Sequence, residues 1–293
     1  MCASVIPLLY AYLDKKGFQN NFIDLVFKKA KNKDQAGENL YIQIPKNETE
    51  IAVKAFSKCK KMRFIIIPDS IKLINCCAFK DCYMLKYVKI PKIIKTLEEA
   101  TFYNCKSLKF VELSEELKII ERKVFTNCFS LNSLILPISL IVINDFAFYQ
   151  CTNLKSIQIP NTLVCIGISG FSGCINLETI NIPNKLTCIA NSLFYNCYKL
   201  NCISIPNSVK SICEYAFYNC TSLQTITIPD SVTSVSLCSL YKCSKLKSLT
   251  IPKKFKSSLI NIIGIYQTLH PYGINDYEII CNAHMPQLKI TYI

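Results

Sequence analysis

Pro206-Asn-Ser-Val209-Lys-Ser-Ile212, then Ala216-Phe217-Tyr-Asn-Cys220, then Leu223-Gln-Thr-Ile226-Thr-Ile228-Pro229 is one turn of a 23-residue beat. Prolines keep time at Pro45, Pro68, Pro91, Pro137, Pro160, Pro183, Pro206, Pro229 and Pro252, with Ser114 on the one beat that lacks proline. Nine equal intervals run from Pro45 to Pro252 without a slip. Cysteines recur in step from Cys59 to Cys243. Each has a Phe three residues earlier, from Phe56 to Phe217 with Leu240 in the last copy, and a Leu or Met three residues later, from Met62 to Leu246.

A short period with no insertions requires each unit to stack on the one before, so that equivalent residues line up as ladders along one axis. The Leu-x-x-Ile-x-Ile segment ends in alternating apolar and polar positions, is rich in β-branched residues and stops at proline, which predicts a short strand. Because every copy runs in the same direction, the strands predict a parallel sheet with a spacing of about 4.8 Å. The pattern resembles the BspA-like, or Treponema pallidum type, leucine-rich repeats over residues 45 to 252. Pro206 to Pro229 matches the family's consensus closely. The resemblance implies an α/β leucine-rich-repeat solenoid, a curved horseshoe with one parallel sheet on the concave face and short helical or irregular segments on the convex side. It also implies a role in protein binding, at cell surfaces in some members and inside cells in others.

At 293 residues and 51% hydrophobic, the chain can bury a large core. Eighteen cysteines would suggest a disulfide scaffold in a short secreted chain, but nine of them sit at one repeat position, where a small apolar side chain is wanted. Stacked neighbours point the same way about 4.8 Å apart, whereas a disulfide needs facing Cβ atoms about 3.8 Å apart. A reduced ladder is expected, and with it a reducing, cytoplasmic compartment; the alternative is a cell-surface or secreted protein.

Residues 1–39 precede the beat. Met1 to Leu13 is apolar but has no basic start and contains Pro7, which weighs against a signal peptide. Residues 21–30 read as an amphipathic helix that caps the first coil, and Lys28, Lys29, Lys31 and Lys33 as its solvated end. Residues 40–252 form the solenoid of about nine coils, in which Gly170 and Gly173 suggest a loose sixth coil. Residues 253–293 read as a C-terminal cap, a short helix or strand with a hairpin at His270-Pro271 and Tyr272-Gly273. No run of 18 apolar residues would span a membrane.

Few residues offer chemistry. The two histidines, His270 and His284, are in the tail and far in sequence from the repeated cysteines. Cys76, Cys77 and Cys82 are three thiols close in sequence, but Cys82 belongs to the ladder and no second knuckle accompanies them. Gly167, Gly170 and Gly173 lack the context of a phosphate loop, and acidic residues show no pairing at a repeated position that would give two carboxylates one site. No catalysis, metal or cofactor is expected.

The surface is more informative. Residues two and four places after the repeat Leu point away from the core. The two-place column begins Phe64, Tyr87, Phe110 and ends in Ser and Thr; the four-place column holds Ile66, Lys89, Glu112 and Ile135. The position after the Leu adds Arg63, Lys86 and Lys109. Residues 1 to 110 hold 20 Lys or Arg against 10 Asp or Glu, a net of +10 of the chain's +14. Aromatic area rimmed by cations has the composition of a protein-binding hot spot. Phe64, Ile66, Tyr87, Lys89, Phe110, Ile135, Arg63, Lys86 and Lys109 are therefore the candidate binding residues of a monomeric interaction module with an acidic protein partner. Nucleic-acid binding is the weaker reading, because the C-terminal coils carry Ser and Thr in place of further cations. Asn47-Glu-Thr49 and Asn219-Cys-Thr221 would suit a glycosylated surface adhesin.

Overall fold

A computed structural model of the chain describes residues 41–263 and 287–293. The expected N-terminal capping helix and the histidine-containing turn fall outside them. Eight of the ten Leu-x-x-Ile-x-Ile segments form a strand: β1 (Tyr41–Gln43), β3 (Phe64–Ile66), β5 (Tyr87–Lys89), β7 (Phe110–Glu112), β10 (Ser156–Ile157), β12 (Thr179–Ile180), β15 (Thr225–Thr227) and β17 (Ser248–Ile251); the segments at 131–136 and 200–205 make only single bridges. All pairings among these strands are parallel and set each residue opposite its equivalent in the next coil, as Tyr87 opposite Phe110 and Thr225 opposite Ser248 show. The expected parallel sheet is thus present as three hydrogen-bonded segments, with single bridges from Ile135 to Gln158 and from Cys202 to Thr225 between them.

A second parallel ladder, not expected from the sequence, runs beside the first. Two apolar positions three apart follow each beat from Pro45 to Pro229, except that Glu48 holds the first of them after Pro45, and the second one closes a two-residue strand: β2 (Glu50–Ile51), β4 (Leu73–Ile74), β6 (Thr96–Leu97), β8 (Ile119–Ile120), β9 (Val142–Ile143), β11 (Cys165–Ile166), β13 (Cys188–Ile189), β14 (Ser211–Ile212) and β16 (Ser234–Val235). In each the second residue faces the core and the first faces outward. Where Ser114 replaces proline, its buried hydroxyl donates to the Lys92 carbonyl (2.5 Å) and accepts from Glu116 N–H (3.1 Å), holding the same turn.

The third side of each coil, expected to be helical or irregular, is a repeated turn. Two residues per coil, nine and thirteen places after the proline beat, adopt positive φ: Lys54 and Lys58, Cys77 and Asp81, and so on to Cys238 and Lys242, at 52° to 66° for every residue except Gly173, at 74°. Asn or Asp fills the second of these positions in five coils, as suits side chains that tolerate the left-handed region. The turn N–H groups donate forward to the next coil, for example Phe102 to Val124 O at 3.0 Å and Asn104 to Thr126 O at 2.8 Å. The sixth coil is as regular as the rest, with Gly173 N–H reaching Tyr195 O at 2.7 Å. Gly167 is required there by close approach: a Cβ would lie 2.5 Å from Asp145 N and 2.8 Å from Asn144 C. Gly167→Ala is expected to cost about 1–3 kcal/mol in urea unfolding, and an unchanged midpoint would show the coils can separate at no cost.

Inside, Phe56 to Phe217 form one continuous stack, with ring centroids 5.1–6.2 Å apart and planes within 17°. Beside it runs the thiol ladder. Each sulfur from Cys82 to Cys243 donates to the carbonyl of the Phe one coil back, as Cys82 to Phe56 O and Cys243 to Phe217 O, at 3.0–3.3 Å. Cysteine is therefore both small filler and donor, adding a second hydrogen bond, which valine could not make, to a buried carbonyl that already accepts a backbone N–H, as Phe56 O does from Cys59. At the C-terminal end a 3-10 turn (Lys253–Ser258) leads into a short helix, α1 (Leu259–Ile263). A last strand, β18 (Lys289–Tyr292), pairs parallel with β17 and covers its edge.

Candidate functional site

Phe64, Ile66, Tyr87, Lys89 and Phe110 lie on β3, β5 and β7, with Arg63, Lys86 and Lys109 just before each of these strands and Ile135 outside them. Backbone register sets Phe64 opposite Tyr87 and Tyr87 opposite Phe110, so three aromatic residues stand in one column. Tyr41 stands in the same backbone register opposite Phe64. It is missing from the candidates because the first strand belongs to a half repeat, although its place one beat before Phe64 was visible. Phe64, Ile66 and Tyr87 are half-buried, Phe110 is 38% exposed and Ile135 is 69% exposed. Ile135 is set apart in hydrogen bonding, because it lies outside the strands and makes a single bridge to Gln158.

The cations follow the same geometry. Lys86 N–H donates to Arg63 O and Lys109 N–H to Lys86 O, each at 2.9 Å, which lines up their side-chain origins one coil apart. Lys109 Nζ sits 5.4 Å from the Phe110 ring centre, a cation–π contact that keeps charge beside the aromatic column. Lys86 is exposed. Arg63 is half-buried, with its Nε shielded from solvent. Lys89 is partly neutralised: its Nζ lies 3.7 Å from Glu112 Oε2, while the Tyr87 hydroxyl donates to Glu112 Oε1 at 2.7 Å. Glu112 thus ties together two candidate residues. Its place one beat after Lys89 was legible, and it makes the face less uniformly basic than the column of lysines suggested.

Elsewhere, Cys82 is spent on Phe56 O, leaving Cys76 and Cys77 as a half-buried pair. Among the described residues no group of three or more His, Cys, Asp or Glu could hold a metal ion. One expectation needs correction. Glu98 and Glu121 do share a repeat position, on the second ladder, and burial and then the Glu121 charge push the Glu98 carboxyl up. Asn144 Nδ2 donates to Glu121 Oε2 at 2.8 Å, so one of the pair is held by an amide. A second aromatic cluster occupies the turn side, with Tyr195 stacked on Tyr218 at 4.6 Å and Lys242 over Tyr218 and Tyr241.

Residues 37–155 and 141–261 match the family model of the BspA type leucine rich repeat region, in six copies, and the chain belongs to that family. Among solved structures it is similar to the pneumococcal vaccine antigen PcpA, at 23% identity over 72% of this chain and 62% of that one, with a TM-score of 0.51. It is also similar to the T. pallidum leucine rich repeat protein, at 21% identity over 76% of this chain and 83% of that one, TM-score 0.49. A leucine rich cell surface protein from Faecalibacterium prausnitzii A2-165 is 23% identical over 71% of this chain and 78% of that one, TM-score 0.42. No curated protein matches the chain. The likeness is one of fold, a leucine-rich-repeat solenoid of the kind that serves as a protein-interaction scaffold.

Proposed function

We propose that the chain is a non-enzymatic interaction module that holds an acidic protein partner against Phe64, Ile66, Tyr87, Lys89, Phe110 and Ile135, with Arg63, Lys86 and Lys109 along the rim. The observation that supports this most is the register that stacks Phe64, Tyr87 and Phe110 one coil apart on an outward face. Rings held in this way add contact area with little entropy left to lose, and adjacent lysines steer an anionic surface.

The test is retention of the native partner by the whole chain. Phe64→Ala with Tyr87→Ala is expected to weaken capture by at least about 10-fold and to leave the melting temperature within about 2 °C of wild type. Undiminished capture would sink the reading, and so would a large fall in melting temperature, which would place the rings in the core. A salt dependence with a steep log-log slope would instead point to nucleic acid.

The compartment follows from different groups. Burial holds the ladder thiols protonated, so their reduced state no longer argues for a cytoplasmic location over the cell surface. Display at the surface is the second reading, and buried thiols are compatible with it. Of its two glycosylation sequons, Asn219 is engaged in the turn at φ 61°, with its amide donating to Asn196 Oδ1 at 2.9 Å. Among the described residues no helix is long and apolar enough to cross a membrane.

A further inference from the structure

Three cysteines outside the ladder share one side of the coils. Cys165 opens β11, Cys188 opens β13 and Cys213 follows β14, all on the second ladder. Strands β13 and β14 pair with Cys188 opposite Ser211 and Ile189 opposite Ile212, and Cys213 N–H donates to Ile189 O at 2.9 Å. Residues 211 and 213 point to the same side of a strand, so Cys188 and Cys213 meet diagonally across two coils. Their sulfurs are 3.3 Å apart, in direct contact, and both residues are half-buried. This differs from the ladder, where each sulfur faces a carbonyl. It differs also from Cys165, whose strand belongs to another hydrogen-bonded segment.

We propose that Cys188 and Cys213 are a reversible disulfide pair, closed by a low-molecular-weight disulfide and reopened by a dithiol. The Cys188 thiolate attacks one sulfur of the small disulfide, breaks its S–S bond and releases one small thiolate, which takes up a proton. The product is a mixed disulfide on Cys188. Cys213 then gives up its proton and attacks the Cys188 sulfur, releasing the second small thiol. Two protein thiols are oxidised and one small disulfide is reduced to two thiols. Burial first, and then Cys188 itself, push the Cys213 thiol up to about 11, which disfavours Cys213 as the first nucleophile; in the S–H···S contact either sulfur can donate. The bond would brace two adjacent coils, tying the opening of this part of the solenoid to redox conditions.

The experiment uses the folded full-length chain, reduced and then exposed to excess oxidised glutathione, alkylated, digested and read by mass spectrometry. The expected product is a peptide pair joined through Cys188 and Cys213, two hydrogens lighter than the separate peptides and running as monomer on a non-reducing gel. Cys165→Ser should leave that product unchanged. Cys213→Ser, folded by circular dichroism, should trap Cys188 as its mixed disulfide with glutathione. The proposal is overturned if both cysteines stay alkylatable, if Cys188 joins Cys165, if the bridge forms only between molecules, or if Cys213→Ser traps no adduct.

Discussion

Raising the pH above about 9 is expected to unfold the protein, with the transition complete by roughly pH 10.5. The cause is the thiol ladder. Burial pushes the Cys174 and Cys243 thiols up to about 12. Burial, the dominant cause, and neighbouring ladder thiols also hold Cys82, Cys105, Cys128, Cys151, Cys197 and Cys220 well above their ordinary range. In the unfolded chain the same thiols titrate near about 8.5. A native pKa above the unfolded one gives stability that is complete below the unfolded value and declines as pH rises. Each thiol then removes about 1.4 kcal/mol per pH unit. Eight together reach about 11 kcal/mol per unit, as much as the whole stability of an ordinary domain. Circular dichroism and thiolate ultraviolet absorbance followed together should change in one transition. Persistence of secondary structure with all thiols ionised would refute the account. Replacing Cys151 with Ala should reduce the pH slope by about one proton, while costing stability at neutral pH through the lost donor to Phe125 O.

How much of this was visible in the sequence depends on what the repeat period controls. It decides which residues face inward, because stacking in register gives equivalent positions equivalent surroundings; the Phe stack and the Leu-x-x-Ile strands followed directly. The binding-face columns are readable for the same reason, including Lys89 and Glu112 as neighbours, whose pairing depends on side-chain reach that the period does not encode. The second ladder was hidden because a two-residue strand is too short for alternation to show. The left-handed turn positions were obscured by their occupants, since Lys54, Ala100, Phe146 and Tyr215 carry none of the usual glycine signal. The hydrogen-bonding duty of the repeated cysteine was hidden too, because a carbonyl in the preceding coil leaves no mark on composition. The contact between Cys188 and Cys213 falls across two different repeat positions, which a column-by-column reading separates.

Phe125→Ala should produce the largest loss of any single side-chain truncation in the stack. Phe125 is fully buried between Phe102, at 5.7 Å and 7°, and Phe148, at 5.3 Å and 17°. Truncation removes ring burial and leaves a cavity, at about 3–5 kcal/mol, and it strikes the contacts with both neighbours at once. Stability in a solenoid is approximately a sum over repeats and their nearest-neighbour interfaces. A weak central coil therefore uncouples the two sides, and the urea transition is expected to broaden or divide in two, where an equal loss at an end would only fray it. Phe125→Leu separates shape from stacking. Leu240 already occupies this position in the last coil and is buried, so leucine fits, and the expected cost of about 1 kcal/mol reports the ring–ring contribution. If Phe125→Ala costs no more than truncating the half-buried Phe129 on the turn side, the stack is incidental to the cohesion of the coils, and the burial of the Leu, Ile and Cys ladders must hold the solenoid together.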